Sequence, residues 1–174
     1  APHENAPHDH QEMNMALRHA ICYEQVEIGT KLPVLEKGPL TTAHLMRWSA
    51  AMENWHKIHY DRPFAIEHDK LPGLLINGSL KQQFVVQLLK DWVGRSGWVW
   101  KVSFQFRAMN IVGETLSVWA RVTGKRDGPG YGLVDLDIGI VNDKGAESTP
   151  GKATVALPYR GGNPVPYPFV PPRT

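Results

Sequence analysis

Nine residues, "ENWHKIHYD" at 53–61, bring together two imidazoles, two carboxylates, an ammonium and an amide. Imidazole is the group suited to both taking and returning a proton near neutral pH, which makes His59 the first candidate for acid–base chemistry. A histidine satisfied by the backbone in a structural role is the alternative. Asn54 has no basic site at pH 7, but its amide can hold a water in one orientation, or simply cap the end of a helix. His56 could orient the site or face solvent. Asp61 could contact a positive group or order the turn, as aspartates often do. Glu53 is a reserve base. Further on, "PGLLING" at 72–78 ends in Asn77 and Gly78. If a helix starts there, its first N–H groups are unpaired and partly positive, and they would face any oxygen that becomes negative in a reaction. Gly78 would either give such an oxygen bare backbone to approach or only allow a tight entry to the helix.

The elements that must position these groups can be read from periodicity. "TTAHLMRWSAAMEN" offers Thr41 or Thr42 as N-cap and spaces Leu45, Ser49 and Met52 for a short helix that delivers the chain into the polar segment. "NGSLKQQFVVQLLKDWVG" has Asn77 as N-cap and Gly94 as stop. Leu80, Phe84, Leu88 and Trp92 form one stripe, with Val85 and Leu89 beside it. That wide apolar surface predicts a central helix wrapped by something else. Downstream, Trp98, Trp100, Val102, Phe104 and Phe106 alternate with polar residues. The pattern repeats at Leu116, Val118, Ala120 and Val122, at Val134, Leu136, Ile138 and Ile140, and at Ala153, Val155 and Leu157. The expectation is an antiparallel meander of four strands, with a further strand near "KLPVLEKG" before the short helix. One long helix followed by a run of strands is the α+β pattern.

The composition narrows the partners. Lys+Arg 19 against Asp+Glu 17 in 174 residues is too balanced to argue for nucleic acid. Cys22 is the only cysteine, which fits a reducing compartment, and no stretch approaches the roughly 20 apolar residues of a membrane span. The expectation is a soluble, cytoplasmic protein with no membrane or nucleic-acid partner, a domain over residues 23–160, an amino-terminal extension over 1–22 and a proline-rich tail over 161–174. His3, His8, His10 and His19 in the extension are read as part of a polar tail rather than a metal site.

The order of these parts, and "NWHKIHYD", "PGLLING" and "FRAMNIVGETL" within them, resemble the MaoC-like hydratase and dehydratase family over roughly residues 23–158. The resemblance implies a single hot-dog domain, an antiparallel sheet wrapped around a central long helix. It also implies reversible hydration of an acyl thioester, enoyl-CoA to 3-hydroxyacyl-CoA, with no metal or redox cofactor. His59 stands at the catalytic histidine, Asn54 at a water-positioning place and Gly78 at the oxyanion-binding helix start. Asn77, Asp61 and His56 are candidate substrate contacts, and Arg107, Lys125 and Arg126 are candidates for a basic rim that would meet the phosphates of an acyl-CoA. Where the (R)-specific enoyl-CoA hydratases have an aspartate five residues before the histidine, this chain has Asn54, which is similar to the mesaconyl-CoA hydratase and 3-hydroxyacyl thioester dehydratase branch. A homodimer or higher oligomer, or a heteromer with a homologous subunit, is implied as well. The alternatives are a hot-dog acyl-CoA thioesterase and a non-catalytic acyl-CoA-binding subunit.

Overall fold

A computed structural model describes residues 21–172. The elements run β1 (Leu35–Lys37), α1 (Thr42–Ala51), α2 (Gly78–Val93), β2 (Trp98–Phe104), β3 (Leu116–Asp127), β4 (Tyr131–Asn142) and β5 (Gly151–Pro158), with 3-10 turns at Tyr23–Gln25 and Lys57–His59 and a short π-helical turn at Phe64–His68. The amino-terminal extension and its histidines lie almost wholly outside the described residues.

Helix α2 begins and ends where its punctuation predicts. Asn77 is the N-cap and Gly94 the C-cap, the latter at φ +63, a left-handed conformation that glycine adopts without a Cβ penalty. Leu80, Phe84, Val85, Leu88, Leu89 and Val93 are buried, and they meet Leu116, Val118, Ala120, Val122, Val134, Leu136, Ile138, Ile140, Ala153, Val155 and Leu157 from the sheet. Trp92 is only partly buried, at the rim of this core. In α1, Leu45 and Ser49 are buried while Met52, past the last turn, is exposed. The expected early strand is β1, antiparallel to the start of β3.

The five antiparallel strands lie in the order β1-β3-β4-β5-β2. Only β3, β4 and β5 form a meander. The strand β2 pairs with β5, at the opposite edge from where a four-strand meander would put it. The reason is the segment 105–115, which leaves β2 on one edge, crosses by the start of α2 and enters β3 near the other edge. Alternation in β2 is also interrupted. The register shifts between Val99 and Lys101, so Val99 and Val102 join the core while Trp100 packs on the other face with Tyr131, Leu133, Ala156, Val165 and Phe169. The strand ends at Phe104, and Phe106 lies beyond it.

That second face is covered by the proline-rich tail. Tyr131 donates its hydroxyl to the Val170 carbonyl at 2.7 Å, Val165 N–H donates to Ser96 O at 2.8 Å, and the Phe169 ring stacks on Trp98 at 6.0 Å. The two tryptophans therefore pack against this chain's own tail.

Candidate functional site

The polar segment starts from the way α1 ends. Glu53 N–H donates to Ala50 O and Asn54 N–H to Ser49 O, the paired closure in which the residue after the cap is left-handed. That residue is Glu53, at φ +50. Glycine usually fills this place, so Glu53→Gly is expected to raise stability by about 0.5–1 kcal/mol, because a left-handed non-glycine residue carries a steric cost. Urea unfolding reads the gain, and unchanged turnover in the same variant would exclude Glu53 as a base.

The closure turns the chain so that Asn54, half-buried, accepts a long 3.4 Å bond from His56 N–H with its side chain. His56 is exposed, its ring 6.2 Å from that of His59. Asp61 Oδ1 accepts from Phe64 N–H at 3.1 Å, so its carboxylate orders the turn that follows.

His59 is 7% exposed. Its Nδ1 lies 2.7 Å from the Leu75 carbonyl, and because a carbonyl only accepts, Nδ1 carries the proton. The tautomer follows: Nε2 keeps a free lone pair and is the basic atom. Leu75 N–H in turn donates to Ile58 O at 3.0 Å, so two bonds tie the histidine turn to the strip Leu74–Ile76. Burial lowers the imidazole pKa from 6.5. The Leu75 bond opposes this, and His56, when charged, lowers it further. The backbone satisfaction expected of a structural histidine is the same bond that leaves the far nitrogen ready to take a proton.

Three residues beyond Leu75, helix α2 begins with its first amides, those of Gly78 and Ser79, uncapped by the Asn77 side chain. Asn77 is fully buried. It donates Nδ2 to Ser49 Oγ at 3.2 Å, and its Oδ1 has no partner. Trp48 Nε1–H donates to Ser79 Oγ at 2.8 Å and fixes α1 against the same turn. At Gly78, a Cβ would stand 2.8 Å from the Phe106 ring, which covers this residue while remaining 51% exposed. Gly78 thus leaves room for a ring from the crossing segment, a packing reason that its sequence neighbourhood does not show. Beside this turn, a cavity of about 460 Å³ is lined by Lys37, Leu40, His44, Arg47, Trp48 and Phe84 among others.

On its other side the Leu74–Ile76 strip is bonded to the crossing segment, through Ile76 N–H to Asn110 O at 2.8 Å and Val112 N–H to Leu74 O at 2.9 Å. A buried polar group underlies this contact. Lys81, 3% exposed, donates Nζ to Asn110 Oδ1 at 2.9 Å and to Ala108 O at 3.3 Å, and Asn110 Nδ2 donates to Glu114 Oε2 at 2.9 Å. Burial lowers the Lys81 pKa to about 8, with Glu114 opposing. Sequence reasoning missed this group. The available signal was position: Lys81 stands four residues after Asn77 and four before Val85, on a buried row of the helix.

The structure therefore brings His56 and His59 near each other on the segment 54–61, leaves Asn54 and Asp61 bonded to backbone N–H groups of their own neighbourhood, and ties His59 to Leu75, two residues before Asn77. Arg107 is exposed on the crossing segment, and its backbone N–H donates to Ser148 O. Lys125 and Arg126, further basic candidates for the rim, lie toward the other end of β3 from Glu114. They are engaged there by the Val26 carbonyl and by Asp135.

Comparison with known proteins bears on the family and the fold. A family model described as hydroxyacyl-thioester dehydratase type 2 matches residues 23–114, just over half of the chain. A mesaconyl-C(4)-CoA hydratase from Chloroflexus aurantiacus is 38% identical over 64 residues, which is 37% of this chain and 21% of that protein, so the chain spans about a fifth of the length of this relative. Among solved structures, an (R)-hydratase from A. caviae involved in PHA biosynthesis superposes with a TM-score of 0.70 at 24% identity, covering 78% of this chain and 99% of that one. The ChsH1-ChsH2 complex from Mycobacterium tuberculosis gives 0.67 at 17%, covering 76% and 98%. These two share the hot-dog fold. The match, which takes in both the histidine turn and nearly all of the crossing segment, leads to one conclusion: the chain belongs to the hydroxyacyl-thioester dehydratase type 2 family.

Proposed function

We propose that this protein catalyses the reversible hydration of an α,β-unsaturated acyl thioester to the 3-hydroxyacyl thioester, with CoA or a carrier pantetheine on the substrate. The observation that carries the reading is the Nδ1 bond from buried His59 to the Leu75 carbonyl, which leaves Nε2 basic next to the strip that leads into α2. In the hydration direction, His59 Nε2 takes a proton from water as its oxygen bonds to C3. Electron density moves onto the thioester oxygen, and the same imidazolium returns the proton to C2. The first amides of α2, at Gly78 and Ser79, stabilise that oxygen while it is negative. Asn54 orients the water, and Asn77, with a buried and unpartnered Oδ1, is a second polar group at the helix entry. The residues assigned to these steps are all protein groups, and the reading assigns no cofactor.

In this reading the cavity beside Trp48 and Phe84 takes the acyl group, and Arg107, Asp61 and His56 are assigned to the polar parts of the substrate. The open edge of β2 offers a second copy, or a homologous subunit, a strand to pair with. Asn54 in the place of an aspartate favours a second reading, in which this chain binds the thioester and a partner subunit supplies the better base.

Both readings are tested by following loss of enoyl-thioester absorbance with purified protein on short, branched and dicarboxylic enoyl-CoAs, with free thiol assayed in parallel and the preparation sized by sedimentation. Loss of absorbance without thiol release, from an oligomer, is the expected result. Thiol release would point to a thioesterase, and binding without turnover until a homologous subunit is added would establish the second reading.

A further inference from the structure

We propose that Lys81 is the positioning residue for His59, acting through the crossing segment and the Leu74–Ile76 strip. The proposal rests on the reading of His59 as the proton carrier, but its structural part can be tested without turnover.

The chain of contacts is continuous. His59 donates Nδ1–H to Leu75 O, Ile76 N–H donates to Asn110 O, and Asn110 Oδ1 accepts from Lys81 Nζ. Leu74–Ile76 is a short stretch outside any regular strand, with an isolated bridge from Leu75 to Ile111. Its place is therefore set by its two neighbours, the histidine turn on one side and residues 110–112 on the other. Asn110 is 1% exposed and has one consistent orientation. Lysine can only donate, so Oδ1 faces Lys81; a carboxylate accepts, so Nδ2 faces Glu114. The Phe106 ring also lies against the ammonium, its centroid 4.9 Å from Nζ. One buried cation thus fixes both ends of the crossing segment that matter to the site: Asn110, which holds Ile76, and Phe106, which covers Gly78.

A lysine buried on a helix is costly, and replacing it with methionine would ordinarily be expected to be tolerated if its role were only to fill space. The proposal predicts something else. In Lys81→Met, the Leu75 carbonyl loses its fixed position, His59 samples both neutral tautomers, and kcat falls by about 10–100-fold with KM changed less than about threefold. Nitrogen NMR of the imidazole reads the tautomer directly: a single Nδ1–H form in the parent protein and a mixture in the variant. A second variant, Lys81→Met with Asn110→Leu, replaces both buried polar partners with apolar groups, which can restore stability lost in the single variant. The expected result is that folding is restored while the tautomer mixture and low kcat persist. A single Nδ1–H tautomer in either folded variant would overturn the proposal, even if no turnover is found with any substrate. Absent turnover in the parent with the predicted tautomer change would count against the functional reading alone.

Discussion

Replacing His59 with alanine is expected to lower kcat/KM for hydration by about 10²–10⁴-fold, the usual contribution of a positioned acid–base group, with the fold retained. His59 is buried but sits on a turn at the edge of the core, and its loss removes one hydrogen bond, to Leu75 O. The pH profile gives a sharper check. Because burial lowers its pKa, His59 is neutral and basic down to a pH below 6.5, so the acid limb of kcat/KM should bend below that value. The stability effect has a definite sign. Between the lowered folded pKa and 6.5, the unfolded chain binds more protons than the folded one. Stability therefore rises with pH through that window and is lost as pH falls through it. His59→Gln should flatten this part of the stability curve. An acid limb at or above 6.5 in the parent protein would contradict the assigned environment.

Gly78→Ala carries the second large effect. The added methyl would stand 2.8–2.9 Å from two carbons of the Phe106 ring, so the ring must swing outward, which its exposure allows at a cost of about 1 kcal/mol. The same methyl sits beside the first amide of α2. Loss of one oxyanion donor typically costs about 10²–10³ in kcat, and that is the range expected. Pairing Gly78→Ala with Phe106→Ala separates the two roles of the glycine. Removing the ring relieves the contact and should recover the stability, measured by thermal unfolding, while activity stays low. Recovery of full activity in the double variant would instead assign Gly78 to ring packing alone.

Much of this arrangement was legible in the sequence because it depends on local chemistry. Asn77 and Gly94 fix the ends of α2, and the alternation at Leu116–Val122 and Val134–Ile140 fixes which face of β3 and β4 meets the helix. The histidine turn was found by its residue types. What was not legible depends on partners distant in sequence. Neighbours in a sheet are set by where a connection crosses, so nothing within β2 shows that it pairs with β5. The bulge at Trp100 turns Val99 and Val102 to the core and leaves both tryptophans to the tail, without changing the alternation of letters. The end of α1 is closed by Glu53 where glycine would have signalled the turn. Most important for the site, His59 is held by a backbone carbonyl, which every residue has, and that carbonyl is fixed by Asn110 and by Lys81, a residue whose charge suggests a solvated face.

The most direct test of the central claim is where the oxygen of water ends up. Incubating an enoyl-CoA that the protein consumes in heavy-oxygen water, and analysing the intact product by mass spectrometry, should place one heavy oxygen on C3 of a 3-hydroxyacyl thioester, with the label absent when His59→Ala is used. Heavy oxygen found in a free carboxylate, with CoA released as thiol, would contradict hydration and make thioester hydrolysis the reaction of this site.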